Sequence, residues 1–246
     1  MRKILIVGAT SAIAMAVARD FAANNDRLFL VARDNDKLTS VANDLIAKGA
    51  DRVETFMLDV NDIEQHSNML EYADESLGGL DTVLVAHGTL PSQQDCELSV
   101  NSMLQEFNTN SISTIALLTE ISNKFEQQKS GTIAVITSVA GDRGRQSNYV
   151  YGAAKATVST FLEGLRARMF KSSVHVLDIR PGFVDTPMTS DLKLPQLLTV
   201  QPEIAASCIV KAIDSKKSIV YVPFYWKYIM LIIKLMPMML FKRLSL

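Results

Sequence analysis

Three residues in the second half of the chain have the types and spacing for moving a proton at a carbonyl or alcohol oxygen. Ser138 closes an apolar run ending in Thr137. Thirteen residues later, Tyr151 stands four positions before Lys155 in Tyr151-Gly152-Ala153-Ala154-Lys155. A spacing of four on a helix puts the phenol and the ammonium on one face, with the serine delivered from an adjacent strand end. A free phenol, with a pKa near 10, is a poor base at neutral pH, and a neighbouring cation favours its charged form. Tyr151 can then exchange a proton with the oxygen while Ser138 hydrogen-bonds the same atom. The Tyr-x-x-x-Lys spacing alone has a plainer reading, an aromatic core residue beside a surface lysine.

The elements that must position this trio follow from the apolar pattern. Short runs rich in Val, Ile and Leu at 3–7, 28–32, 53–58, 82–86, 132–137, 174–179 and 219–222 read as strands. Segments of helical period lie between them, near 11–24, 35–48, 61–73, 100–128, 147–170 and 202–214. Strands apolar on both faces and separated by helices predict a doubly wound α/β fold. It has a seven-stranded parallel sheet, helices on both faces and right-handed crossovers. No linker or repeat divides residues 1–215, so residues 1–222 are expected to form one dinucleotide-binding catalytic domain, followed by an apolar helical tail at 223–246.

The turn after the first strand carries small residues, Gly8, Thr10, Ser11 and Ala12, before Ile13. Such a turn lets backbone approach a pyrophosphate, whose charge then rests on helix N-terminal N–H groups. The second strand ends in Ala32-Arg33-Asp34. Arg33 suits a ribose 2′-phosphate, which favours NADP over NAD. The alternative is a solvated Arg33 with Asp34 as a helix cap. Asp59, before Val60, either accepts from an adenine amino group or caps the next helix.

Composition narrows the classes. With 25 basic and 26 acidic residues among 246, the chain has no excess positive charge to draw in nucleic acid. Its 48% hydrophobic content excludes global disorder. The two cysteines, Cys96 and Cys208, make no disulfide framework, and His66, His87 and His175 have no metal-ligand spacing, so no metal site is expected. The first apolar run is too short for a signal peptide, which points to the cytoplasm. Neither a Walker loop nor a nucleophile elbow is present.

Taken in order, these features resemble the short-chain dehydrogenase/reductase family over about residues 3–222. The likeness runs through the turn from Gly8, Asp59-Val60, Ala86-His87-Gly88, Asn110, Ser138, Tyr151, Lys155 and Arg180-Pro181-Gly182-Phe183-Val184-Asp185-Thr186. The resemblance implies an NAD(P)-dependent carbonyl reductase or alcohol dehydrogenase with Tyr151 as general acid/base and Ser138 orienting the carbonyl. Lys155 would hold the nicotinamide ribose and lower the phenol pKa, helped by the positive ring of an oxidised nicotinamide. Asn110 would retain a water for proton relay. Gly8, Thr10, Ser11, Ala12, Ile13, Arg33, Asp59, Val60, Ala86, Gly88, Pro181, Gly182, Val184 and Thr186 would line the cofactor. Two positions depart from the family: Ala12 and Ala14 stand where glycines are usual, and Val85-Ala86-His87-Gly88 replaces Asn-Asn-Ala-Gly. His87 then reads as a bracing or pocket-lining residue. A catalytically silent dinucleotide-binding sensor or scaffold is the rival from another class.

Between the serine and the tyrosine, Arg143, Arg145 and Gln146 make a polar, anion-friendly loop suited to substrate phosphate or sugar hydroxyls, or an ordinary solvated loop. The tail carries Trp226, several tyrosines, Lys227 and Lys234 among Ile, Leu and Met, with Pro237 interrupting. It suits either an interfacial helix at the inner face of the cytoplasmic membrane or a subunit interface of a homo-oligomer. Loop and tail together are similar to the polyprenylphosphoryl-2-keto-pentose reductase branch, which implies a lipid-linked carbonyl substrate. A soluble acyl or steroid-like ketone is the alternative.

Overall fold

Along the first strand, alternate side chains face opposite ways into two apolar layers, and this pattern organises the molecule. In a computed structural model, which describes residues 1–190 and 194–244, Ile4 and Ile6 lie in one buried cluster while Leu5 and Val7 lie in the other. All four are fully buried. Burying such a side chain is worth roughly 1.5–3 kcal/mol, so the two clusters dominate the stability of the sheet.

The chain runs β1 (Lys3–Val7), α1 (Ala12–Ala23), β2 (Arg27–Ala32), α2 (Asn35–Ala47), β3 (Arg52–Met57), α3 (His66–Leu77) and β4 (Thr82–Val85). It continues with α4 (Gln93–Leu98), α5 (Val100–Phe107), α6 (Ser113–Gln128), β5 (Gly131–Ile136), α7 (Tyr149–Phe170) and β6 (Val174–Pro181). After β6 come β7 (Phe183–Val184), β8 (Thr199–Val200), α8 (Pro202–Asp214), β9 (Ile219–Val222), α9 (Trp226–Leu235) and α10 (Met238–Phe241). Among the described residues, seven strands form one sheet in the order β3-β2-β1-β4-β5-β6-β9, every pairing parallel. Residues of α1, α2 and α8 fill the first apolar layer, and residues of α3, α6 and α7 fill the second. The strand order reverses between β1 and β4, and such a switch point opens a crevice at the carboxyl ends of the strands. The sheet and its two helical layers are those expected from the sequence.

Differences lie in the connections. The helix expected at 100–128 is interrupted by a π turn at Asn108–Ile112, which separates α5 from α6. The helix expected from residue 61 begins as a 3-10 turn at Ile63–Gln65, with α3 following from His66. α4 was not anticipated, because Gln-Gln-Asp-Cys-Glu-Leu has no apolar period. Its start is set by Ser92, whose hydroxyl accepts from the Asp95 N–H. The short β7–β8 ladder was also missed.

Candidate active site

The end of β5 and the start of α7 bring the three chemical side chains together. Ser138 caps the 3-10 turn Val139–Asp142, its Oγ accepting the Ala140 N–H at 3.0 Å. That bond occupies a lone pair and leaves the serine proton to donate elsewhere. Tyr151 lies in the first turn of α7 and shares one cavity with Ser138 and Lys155. Lys155 is buried one turn further on, its Nζ 3.5 Å from the Ile136 carbonyl oxygen and 5.7 Å from the centre of the Tyr151 ring. Burial pushes the phenol up to about 12, while the hydrogen bond with Ser138 and the charge of Arg145 pull in the other direction. Burial also lowers the Lys155 ammonium to about 8, opposed by the Asp178 carboxylate.

Asn110 enters from the π turn and is fully buried. Its Oδ1 accepts from the Thr89 N–H at 3.1 Å, and its Nδ2 donates to Thr89 Oγ1 and the Glu106 carbonyl. A Cβ placed on Gly88 would fall 2.7 Å from Asn110 Oδ1 and 3.1 Å from Lys155 Nζ. The amide and the ammonium therefore converge on one small backbone window. A π turn frees helical carbonyls and recurs at functional sites; no sequence signal announces this one.

The crevice between β1 and β4 meets the requirements of a dinucleotide. Gly8 adopts φ +84°, and a Cβ there would fall 2.5 Å from the His87 backbone nitrogen, so the two strand ends nearly touch. The α1 N-terminus follows, capped by Ser11, whose Oγ accepts from Ala14. Thr10, Ser11, Ala12, Ile13, Ala86, Gly88, Pro181, Gly182, Val184 and Thr186 all line the same cavity as the trio. A thin backbone cradle at a helix N-terminus fits a pyrophosphate, and the apolar rim beyond it fits a flat ring. Gly8, Arg33, Asp59, Val60 and Asn110 lie outside the cavity wall itself. Arg33 is exposed at the end of β2. Asp34 caps α2, accepting from the Lys37 N–H at 3.0 Å, and pairs with the Lys37 ammonium. Asp59 Oδ1 accepts from the Asn61 N–H at 2.9 Å in a local turn, while the 3-10 turn that follows is preceded by Asp62, so Asp59 caps neither it nor α3.

The loop from 141 to 148 divides into two parts. Arg145 turns into the cavity, where its Nε has no partner among the described residues. Asn148 joins it with an unpartnered Oδ1, left free because Gln93 of α4 accepts the Val150 N–H at 3.1 Å in the place of a cap. Arg143 and Gln146 do not share this position. Gln146 is exposed and off the cavity wall. Arg143 is corrected from a substrate contact to a clasp on the tail. Its guanidinium donates to the carbonyls of Ile233 and Met236, the latter at 2.7 Å, and sits 3.8 Å from the centre of the Phe241 ring. Carbonyls at the end of a helix lack intrahelical partners, and a cation there also matches the helix dipole.

His87 both braces and lines. Its Nε2 meets Thr114 Oγ1 at 3.0 Å and Ser113 Oγ at 3.2 Å, and burial lowers its pKa to about 3, which keeps it neutral. The sequence reading missed an ion cluster beneath the trio. Arg180 donates to Asp178 and Asp142, both at 2.8 Å, Tyr221 donates to Asp142 at 2.7 Å, and Thr137 donates to Asp178 at 2.5 Å. A buried carboxylate at Asp178 reads as a strand residue like any other, since only the fold places it below Lys155.

A family model described as short chain dehydrogenase matches residues 2–196. The chain belongs to the short-chain dehydrogenase/reductase family. Membership makes it an NAD(P)-dependent oxidoreductase. It is 31% identical over 240 residues to an uncharacterised oxidoreductase of Mycobacterium tuberculosis, covering 98% of this chain and 96% of the relative. An uncharacterised oxidoreductase of Streptomyces coelicolor is also 31% identical, over 244 residues covering 99% of this chain and 96% of that one. Among solved structures, a short-chain dehydrogenase/reductase of Mycobacterium ulcerans superposes with TM-score 0.81 at 19% identity over 90% of this chain and 88% of that one. A second family protein superposes with TM-score 0.78 at 24% identity, over 90% and 97%. These two likenesses speak to the fold alone.

Proposed function

We propose that the chain is an NADP(H)-dependent carbonyl reductase acting on an amphiphilic ketone that carries an anionic group, such as a lipid-linked phosphosugar. One observation carries the reading: Ser138, Tyr151, Lys155 and the unpartnered Nε of Arg145 occupy one cavity. When bound, the reduced dinucleotide supplies the two electrons and the carbon-bound hydrogen of the reduction. Gly8, Thr10, Ser11, Ala12 and Ile13 would hold its pyrophosphate half; Pro181, Gly182, Val184 and Thr186 would hold its nicotinamide half. The remaining steps belong to this chain's own residues.

Ser138, its Oγ fixed by Ala140, donates a hydrogen bond to the substrate carbonyl oxygen, keeping its own proton, and aims that oxygen at Tyr151. Because burial holds the phenol near 12, it is protonated at neutral pH and can act as the acid. Its proton passes to the carbonyl oxygen as the alcohol forms. The phenolate left behind is stabilised by the Lys155 and Arg145 charges. Asn110 and Lys155, meeting at Gly88, supply the route by which the phenol is reprotonated. Arg145 and Asn148 present a cation and an acceptor to a substrate anion and its hydroxyl groups.

The preference for NADP(H) rests on Arg33. It is exposed with no ion-pair partner among the described residues, while the neighbouring Asp34 carboxylate is occupied by Lys37. Arg33→Ala should weaken NADP(H) binding while leaving NAD(H) binding unchanged; equal affinities in both proteins would remove the assignment.

Tyr151→Phe tests the reaction. Turnover of a ketone panel should vanish with dinucleotide affinity retained. Arg145→Met should raise KM for anionic ketones and not for neutral ones, while lowering kcat for both through the lost support of the phenolate. A panel that fails entirely in the unmodified protein, with tight dinucleotide binding intact, would instead favour the silent sensor.

A further inference from the structure

We infer that the outer face of α9 and α10 is a docking surface for an anionic lipid bilayer. A helix on a protein surface normally turns its polar side to water. Here the inner side is already apolar: Trp226 and Met230 are buried, and Ile229 and Ile233 pack with them against Val139 and Phe183. The opposite side is apolar as well. Leu235 is 74% exposed, Ile232 66% and Met239 71%, and Phe224, Tyr228 and Leu231 are exposed beside them.

Charge selects the occupant. Residues 223–246 contain Lys227, Lys234, Lys242 and Arg243 and no acidic residue, which leaves 21 basic against 26 acidic residues in the first 222. The tail is thus net positive while the rest of the chain taken together is net negative, and its apolar side chains face outward. Pairing this face with the same face of a second copy would bring like charges together with no carboxylate to match them. A bilayer with anionic headgroups accepts both features, aliphatic and aromatic side chains below and ammonium groups at the phosphate level. The segment lies on the bilayer and does not cross it. α9 has ten residues and spans about 15 Å, half of a hydrocarbon core, and no helix among the described residues is long and apolar enough to span.

Docking would also serve the pocket. Trp226 meets Phe183 edge to face at 4.9 Å, and Phe183 and Val139 line the cavity. A lipid surface on the outer side of α9 therefore lies about one helix diameter, roughly 10 Å, from the cavity wall.

The test is flotation of the full chain with vesicles of phosphatidylcholine and phosphatidylglycerol, against phosphatidylcholine alone, with light scattering on the same protein. The chain should float with the anionic vesicles and release at high salt. Lys227→Gln and Lys234→Gln should each lower partitioning roughly fivefold, and Ile232→Asp with Leu235→Asp should abolish it. Circular dichroism and dinucleotide binding confirm that each variant is folded. A chain that ignores both vesicles overturns the proposal. If Ile232→Asp then splits an oligomer, a second copy covers this face. Binding is read without turnover, so failure here leaves the catalytic assignment untouched.

Discussion

Lys155 holds its ammonium 5.7 Å from the centre of the Tyr151 ring, one turn along the same helix, and burial pushes the two groups toward neutrality from opposite sides. The lysine loses its proton near pH 8, well before the phenol does. The proposed reduction uses a protonated Tyr151 and a charged Lys155. In the free enzyme, kcat/KM for ketone reduction should therefore decline as pH rises through about 8. A profile flat to pH 10 would show that the Lys155 charge is not used.

The same burial should make Lys155 a destabilising residue. Its folded pKa, about 8, lies below the ordinary lysine value of 10.5, so the unfolded chain holds that proton more tightly. The penalty is complete below pH 8 and fades as pH rises toward 10.5. Lys155→Met should raise stability at pH 7 by on the order of 2–3 kcal/mol, with the gain gone near pH 10.5. Denaturant titrations of both proteins at the two pH values decide this, and turnover should be lost throughout.

Asp178→Asn removes the carboxylate that supports the Lys155 charge from below. The fall in kcat/KM should move to lower pH while Tyr151→Phe remains the more damaging change. Arg180 would keep Asp142 and lose its other close partner. Breaking a buried ion pair on one side costs about 3–5 kcal/mol, so a clear drop in Tm should accompany the shifted profile. An unchanged pH profile in a folded variant would assign Asp178 to structure alone.

Gly8→Ala should strain the turn and separate two strand ends. The position needs φ +84°, and the new methyl would meet the His87 backbone at 2.5 Å. A left-handed non-glycine residue costs about 1–3 kcal/mol before that clash is counted. Dinucleotide fluorescence titration should show a larger loss than the fall in Tm alone explains, because the crevice itself is displaced.

The sheet was readable because its strands are apolar on both faces, so Ile4 to Val7 and Leu28 to Ala32 stand out without any context. Tyr151 and Lys155 were readable because helical spacing makes them neighbours. The parts that escaped depend on contacts far apart in sequence. Arg143 and Arg145 look alike in a polar loop, yet one fastens to carbonyls ninety positions later and the other faces the cavity. Asp178 is legible only as a residue of β6 until Lys155 is packed above it. The π turn at Asn110 has no local signature, since α5 and α6 together keep an apolar face on either side of it.

The Arg143 clasp sets an order on biosynthesis. Arg143 and Met236 are separated by 93 positions, so at about 5–20 residues per second the loop leaves the ribosome several seconds before its partner carbonyls exist. The nascent chain has β1, β4 and the turn at Gly8 well before it has the carbonyls that Arg143 fastens to. A groove able to retain a dinucleotide is therefore made first, and the apolar backing behind Val139 and Phe183 is packed last.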